Sequence, residues 1–73
     1  MGEKTVNADI AGRVSALPLP VGASVKEGDD IAIVEAMKME IPLASSASGR
    51  IKTILVAVDD VVEEGQAMFV IEV

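Results

Sequence analysis

The feature that most constrains the fold is an internal repeat with a spacing of 37 residues. It becomes visible without a gap when 37 is added to each residue number from 11 to 35, so that Gly12-Arg13-Val14 falls on Gly49-Arg50-Ile51. Stacked arrays need about three copies to bury a continuous core, and this chain has two. The repeat therefore predicts one closed domain over residues 1–73 with pseudo-twofold symmetry. The link between the copies, Ala36 to Ala47, is then a special position.

Composition limits how such a domain can be stabilised. At 73 residues it is close to the size at which a single core is marginal. The sequence contains no Cys and no His, which excludes disulfides, thiolate or imidazole metal sites, and Cys/His or Ser/His nucleophile pairs. Aliphatic packing must supply the stability, since the sequence is 51% hydrophobic with Phe69 as its one aromatic residue. The absence of Cys fits a reducing cytoplasm, so we expect a cytoplasmic location.

Charge and hydropathy exclude two classes of partner. The net charge of −6, from 12 acidic and 6 basic residues, argues against binding a phosphate backbone. No apolar run approaches the roughly 20 residues that cross a bilayer, and the N-terminus lacks a basic and then hydrophobic signal segment. We therefore expect a soluble domain with no nucleic-acid partner and no membrane insertion.

The spacing of turn residues predicts an all-β fold. Ile31 to Ile41 would score as a helix on propensity alone, but its repeat counterpart, 68–73, is aromatic and β-branched, as strands prefer. Pro42 also interrupts a helix there. Gly28 and Gly65 are predicted at equivalent turns with positive φ and no chemical role. The predicted strands are 4–8, 12–17, 23–26, 30–36, 39–43, 49–55, 60–63 and 67–72.

With strands on both sides, Met37 and Lys38 become the tip of a hairpin and Lys38 should point into water. An isolated surface lysine is ordinarily a solvated charge without function. Two-residue turns normally use Asn-Gly or Asp-Gly, however, and Met-Lys has no intrinsic preference for positive φ. Met37 and Met39 are candidates for a recognition collar around Lys38, with gap-filling core residues as the alternative.

These residues resemble a known family. Glu35-Ala36-Met37-Lys38-Met39-Glu40 is similar to the attachment motif of biotin carboxyl carrier domains, in which the lysine between two methionines bears biotin on an amide. The similarity includes 21–29 before the lysine, and 48–51 with 63–66 after it, so it covers nearly the whole chain. The resemblance implies a flattened β-barrel of two four-stranded antiparallel sheets with quasi-twofold symmetry and the biotinyl lysine on an exposed hairpin.

The resemblance also implies a mechanism and a set of partners. A biotin protein ligase would attach biotin to Lys38 and would recognise the five flanking residues Glu35, Ala36, Met37, Met39 and Glu40. Biotin would then carry a carboxyl group between a biotin carboxylase site and a carboxyltransferase or decarboxylase site. The domain would be a carrier with no catalytic residue of its own. The domain would raise the effective concentration of carboxybiotin at the acceptor site, because the tether turns a diffusive encounter into a local search.

Two departures and three alternatives accompany this interpretation. The gapless repeat leaves no room for the protruding thumb of some acetyl-CoA carboxylase carriers, which predicts a thumbless type. In the second repeat, Asp59-Asp60 replaces the Gly22-Ala23 of the first, a change that Asp tolerates at a turn.

A lipoyl carrier shares the fold but typically shows Asp-Lys-Ala at the tip. An unmodified structural hybrid domain is the second alternative, and a self-contained enzyme is the third, since its acid pair would have to come from exposed turn carboxylates.

Overall fold

A computed structural model describes residues 2–73, and residue 1 of the predicted domain lies outside the described residues. Within this range the chain forms eight short strands, and it contains no helix that is long and apolar enough to cross a bilayer. The strands are β1 (Glu3–Asn7), β2 (Gly12–Ala16), β3 (Ser24–Val25), β4 (Asp30–Ala36), β5 (Met39–Ala44), β6 (Gly49–Ile54), β7 (Val61–Val62) and β8 (Ala67–Glu72). All eight predicted strands are present, and β4 and β8 have the predicted bounds.

The strands form two four-stranded antiparallel sheets, in the orders β1-β8-β6-β3 and β5-β4-β2-β7. Each sheet takes two strands from each half of the chain, and one strand in each sheet has only two residues. The molecule is elongated, with extents of 37 × 19 × 18 Å. The predicted flattened β-barrel is confirmed.

Strand register shows the pseudo-twofold symmetry directly. Arg13 lies opposite Glu35 in the β2–β4 pair, and Arg50 lies opposite Glu72 in the β6–β8 pair, each shifted by 37 residues. The hydrogen bonds that close the barrel are repeated in the same way. The amide of Gly28 donates to Ser45, for example, and the amide of Gly65 donates to Ala8, both at 2.8 Å.

The repeat is longer in the structure than in the sequence. Glu40 of β5 lies opposite Glu35, and Glu3 of β1 lies opposite Glu72, so β1 and β5 are also equivalent strands. The second unit therefore begins with β5 at Met39, and the predicted link from Ala36 to Ala47 was too long. Edge strands conceal such equivalence, because most of their side chains are exposed and free to differ in sequence.

Equivalent positions of the two halves build the core. Four pairs of buried aliphatic and Met side chains come from matching sites of the two repeats: Val14 with Ile51, Val25 with Val62, Ile31 with Met68, and Val34 with Ile71. Phe69 is fully buried and its counterpart Ala32 is equally buried, so a large and a small residue share this layer of the core. Interior packing is dense, and such size complementarity allows a symmetric backbone to enclose one core without voids.

Two glycines hold equivalent turns in a left-handed conformation. Gly28 has φ of 96° and Gly65 has φ of 88°, which confirms the predicted positive φ at both positions. A Cβ at either site would meet no atom within 4 Å, so the requirement for glycine comes from the backbone torsion alone.

We expect Gly28→Val and Gly65→Val each to lower the free energy of unfolding by at least about 1–2 kcal/mol, because a β-branched residue is strained at positive φ. Thermal melts should show a decrease of roughly 4–8 °C per kcal/mol in a domain of this size. Glu64→Val, at the exposed neighbouring position of the same turn, is the control and should melt close to the wild type. Equal losses for Gly65→Val and Glu64→Val would contradict the torsional explanation.

Candidate functional site

The hairpin between β4 and β5 is the part of the barrel where the two repeats are joined. β4 ends at Ala36 and β5 begins at Met39, so the turn consists of Met37 and Lys38 alone. Their φ angles are 51° and 62°. Two consecutive positive φ angles define the type I′ geometry that matches the twist of a hairpin.

This turn is strained for its sequence. A left-handed backbone costs an L-residue roughly 1–2 kcal/mol, and neither Met nor Lys has the short polar side chain that reduces the cost for Asn or Asp. The flanking strands impose the turn, since Ala36 lies opposite Met39 and Glu35 lies opposite Glu40 in the same ladder. Strain retained against local preference is characteristic of functional sites.

The three side chains at the tip are open to solvent. Met37 is 81% exposed, Met39 is 63% exposed, and Lys38 is exposed between them. The prediction that Lys38 points into water is confirmed, and the alternative that the methionines fill the core is wrong. Within residues 2–73, no carboxylate lies within 4.0 Å of the Lys38 amine. A flexible apolar pair beside a free amine suits contact with a protein that must reach that amine.

The base of the hairpin is held from the neighbouring strand β2. Ala36 is buried, and Gly12 of β2 packs so closely that an added Cβ would overlap the carbonyl oxygen of Glu35. Glu35 and Glu40 face each other across the ladder, and such like-charged pairs repel. Ser15 donates a hydrogen bond to Glu40 at 3.1 Å. The predicted motif is thus divided by the sheet into buried, turn and outward-facing residues.

An arginine on β2 connects this base to a distant loop. Nη1 of Arg13 donates to Asp59 at 2.5 Å, and its Nη2 lies 3.4 Å from Oε2 of Glu35. Sequence reasoning placed neither Arg13 nor Asp59 in the site. The one available signal was the replacement of Gly22 by Asp59 in the repeat, which was interpreted as a tolerated turn substitution.

The lysine at position 52 has a different environment from Lys38. Lys52 forms an ion pair with Glu3, and the hydrogen bond and charge of that carboxylate raise the pKa of the Lys52 amine above its ordinary value. A protonated amine is not a nucleophile. Lys52 is therefore a poorer acceptor for acylation than a lysine without a carboxylate partner.

The hairpin and the chain ends occupy equivalent places at opposite ends of the barrel. Gly2 and Val73 exchange two backbone hydrogen bonds, at 3.3 and 2.9 Å, and they correspond to Met39 and Ala36 under the 37-residue shift. The hairpin therefore projects from an end of the molecule that the chain ends leave free.

Comparisons with known proteins agree with this arrangement. A family model for biotin and lipoyl attachment, described as "Biotin-requiring enzyme", matches residues 8–71. The chain is 34% identical over 64 residues to the biotin/lipoyl attachment protein of Bacillus subtilis (strain 168), and this alignment covers 88% of each chain. It is 46% identical over 61 residues to the biotin carboxyl carrier protein of acetyl-CoA carboxylase from Pseudomonas aeruginosa, which covers 84% of this chain and 39% of that protein.

A solved structure extends the comparison to three dimensions. The crystal structure of the Kluyveromyces lactis urea carboxylase matches with a TM-score of 0.91 at 32% identity, over 99% of this chain and 6% of that chain. A duplicated β-barrel that presents one lysine between its repeats defines a carrier domain. The chain belongs to the biotin/lipoyl attachment family, since the family model covers most of its length.

If the tip is strained, residues that accept positive φ should stabilise it. We expect the double variant Met37→Asn and Lys38→Gly to raise the free energy of unfolding by about 1–2 kcal/mol, measured by urea denaturation. Lys38→Ala keeps a Cβ at an exposed position and should change that free energy by no more than about 0.5 kcal/mol. A loss of stability in the double variant would show that the Met-Lys turn is not strained.

Proposed function

We propose that Lys38 is the residue of this chain that carries biotin. The observation that carries the proposal is the position of Lys38 at the strained and exposed tip that joins the two repeats. Family membership and the relatives named as biotin carboxyl carrier protein and biotin/lipoyl attachment protein support biotin as the covalent cofactor. A lipoyl group is not favoured, because the tip reads Met-Lys-Met.

The attachment requires a biotin protein ligase as a partner. The Lys38 amine attacks the carbonyl carbon of biotinyl adenylate, an amide forms, AMP leaves, and the amine releases its proton. The lysine then no longer carries a charge, which takes the formal net charge of the chain from −6 to −7. We assign contact with the ligase to Met37, Met39, Glu35 and Glu40. Ala36 is buried, so its contribution is to support the turn.

Once biotinylated, the domain acts as a carrier and not as a catalyst. Several relatives and two structural neighbours are carboxylases or parts of carboxylases, which supports partners of that class. Biotin on Lys38 moves a carboxyl group between a biotin carboxylase site and a carboxyltransferase or decarboxylase site. The tether supplies effective concentration, and the rigid barrel supplies a surface for docking. The thumbless type and the cytoplasmic location stay predictions.

Biotinylation should occur at Lys38 alone. Incubation with an active biotin protein ligase, ATP and biotin should add one biotin to the intact mass, and peptide mapping should place it on Lys38. Lys38→Ala should remain unmodified and should abolish biotin-dependent carboxyl transfer while the domain stays folded. A wild-type mass without an adduct would refute the function, and an adduct on Lys52 would refute the assignment of the residue.

Position should matter as much as residue type. Exchanging Lys38 with Met39 moves the amine from the turn into β5, where the side chain is directed by the pleat of the sheet. We expect the initial rate of biotinylation to fall by about tenfold or more, because a small misplacement of a reacting group has a large effect on rate. The melting temperature of the exchanged variant serves as the control for folding. An undiminished rate would mean that the ligase reads sequence without the hairpin geometry.

A further inference from the structure

The two ends of the barrel differ at one pair of equivalent positions. Gly22 in the first repeat corresponds to Asp59 in the second, and both have positive φ, 94° and 79° respectively. Glycine adopts this conformation without cost, whereas Asp has a Cβ and keeps part of the left-handed penalty, although its short polar side chain reduces that penalty. The repeat itself therefore shows that a less strained residue fits this backbone.

Asp59 uses its side chain to complete a bridge at the hairpin end. Its Oδ1 accepts a hydrogen bond from Nη1 of Arg13 at 2.5 Å, and Nη2 of the same guanidinium reaches Glu35 at 3.4 Å. At the other end of the barrel, Arg50 lies opposite Glu72 in the equivalent register. In the part of the chain that the structure describes, Arg50 forms no ion pair within 4.0 Å. The bridge thus breaks the symmetry at the end that carries Lys38.

Burial indicates that this bridge contributes little to folding. The side chains of Arg13, Glu35 and Asp59 are 41%, 47% and 76% exposed, and ion pairs at such sites stabilise proteins weakly. Its local effect is larger, because Glu35 lies opposite the like-charged Glu40 and three residues before Lys38. The Arg13 guanidinium offsets that repulsion and holds the Glu35 carboxylate toward strand β2, away from Glu40 on β5.

We infer that Arg13 and Asp59 are positioning residues for the acylation of Lys38, holding the Glu35 carboxylate in the orientation that biotin protein ligase contacts. This inference rests on the proposed function. A carboxylate that is already ordered loses less conformational entropy when the ligase binds, so the bridge acts on recognition. The Lys38 amine and its reaction with the adenylate are unchanged by the bridge. Loss of the bridge should therefore raise the KM of the ligase for the domain and leave kcat unchanged.

Asp59→Gly tests the inference with little risk to folding, since the equivalent residue is Gly22 at a similar φ. We expect the melting temperature to stay the same or rise, while KM for the domain in the ligase reaction rises about two- to fivefold and kcat stays within a factor of two. Initial rates of biotin incorporation over a range of domain concentrations give both constants. A wild-type KM for Asp59→Gly would overturn the inference, even though Lys38 would still be acylated and the proposed function would stand.

Arg13→Gln provides the second arm, and Arg50→Gln at the equivalent position of the other end is its matched control. We expect KM to rise in Arg13→Gln and to stay at the wild-type value in Arg50→Gln. The double variant Arg13→Gln/Asp59→Gly should be no worse than Arg13→Gln, because Asp59 acts through the arginine. Additive losses would show that Asp59 meets the ligase directly, and an equal rise in Arg50→Gln would show a general charge effect. Either result would overturn the inference.

Discussion

Each half of this barrel gives two of its four strands, one of them only two residues long, to the sheet that contains the two inner strands of the other half. β3 from the first repeat pairs with β6, and β7 from the second repeat pairs with β2, so neither sheet is complete without both copies. A strand of two residues has no stability by itself, and it persists because the connections that carry it also close the core. The exchange explains how a domain with one aromatic residue and no covalent staple forms a single packed unit.

The same exchange determines where the chain can carry strain. Met37 and Lys38 lie outside both sheets, at the one turn that joins the repeats, and the ladder between β4 and β5 fixes the geometry of that turn. A left-handed Met-Lys pair is less stable than Asn-Gly would be, yet it presents an amine between two exposed apolar side chains. The turn is therefore locally less stable than it could be, and it presents a surface that another protein can recognise.

Symmetry provides an internal reference for deciding which residues belong to function. Positions that match between the repeats, such as Val14 and Ile51 or Gly28 and Gly65, serve the barrel that both halves share. Positions that differ at the hairpin end have no such explanation. Asp59 accepts an unfavourable backbone torsion that Gly22 avoids, and its partner Arg13 reaches the carboxylate beside the hairpin. The bridge is specific to the end that presents Lys38.

The repeat and its turn residues were sufficient to predict eight strands, a closed pseudo-twofold domain and Lys38 at a hairpin tip, because turn spacing and side-chain alternation are local properties of a sequence. The family resemblance of the sequence added the barrel of two four-stranded sheets. The equivalence of β1 with β5 was hidden, since edge strands expose most of their side chains and few positions are constrained. The exposure of Met39 and the burial of Ala36 also required the fold. The contact between Arg13 and Asp59 joins residues 46 positions apart, and only the pairing of β2 with β7 brings them together. Sequence by itself determined the barrel and the lysine at its tip, whereas tertiary structure decided which side chains surround that lysine, because the pairing of distant strands sets those neighbours.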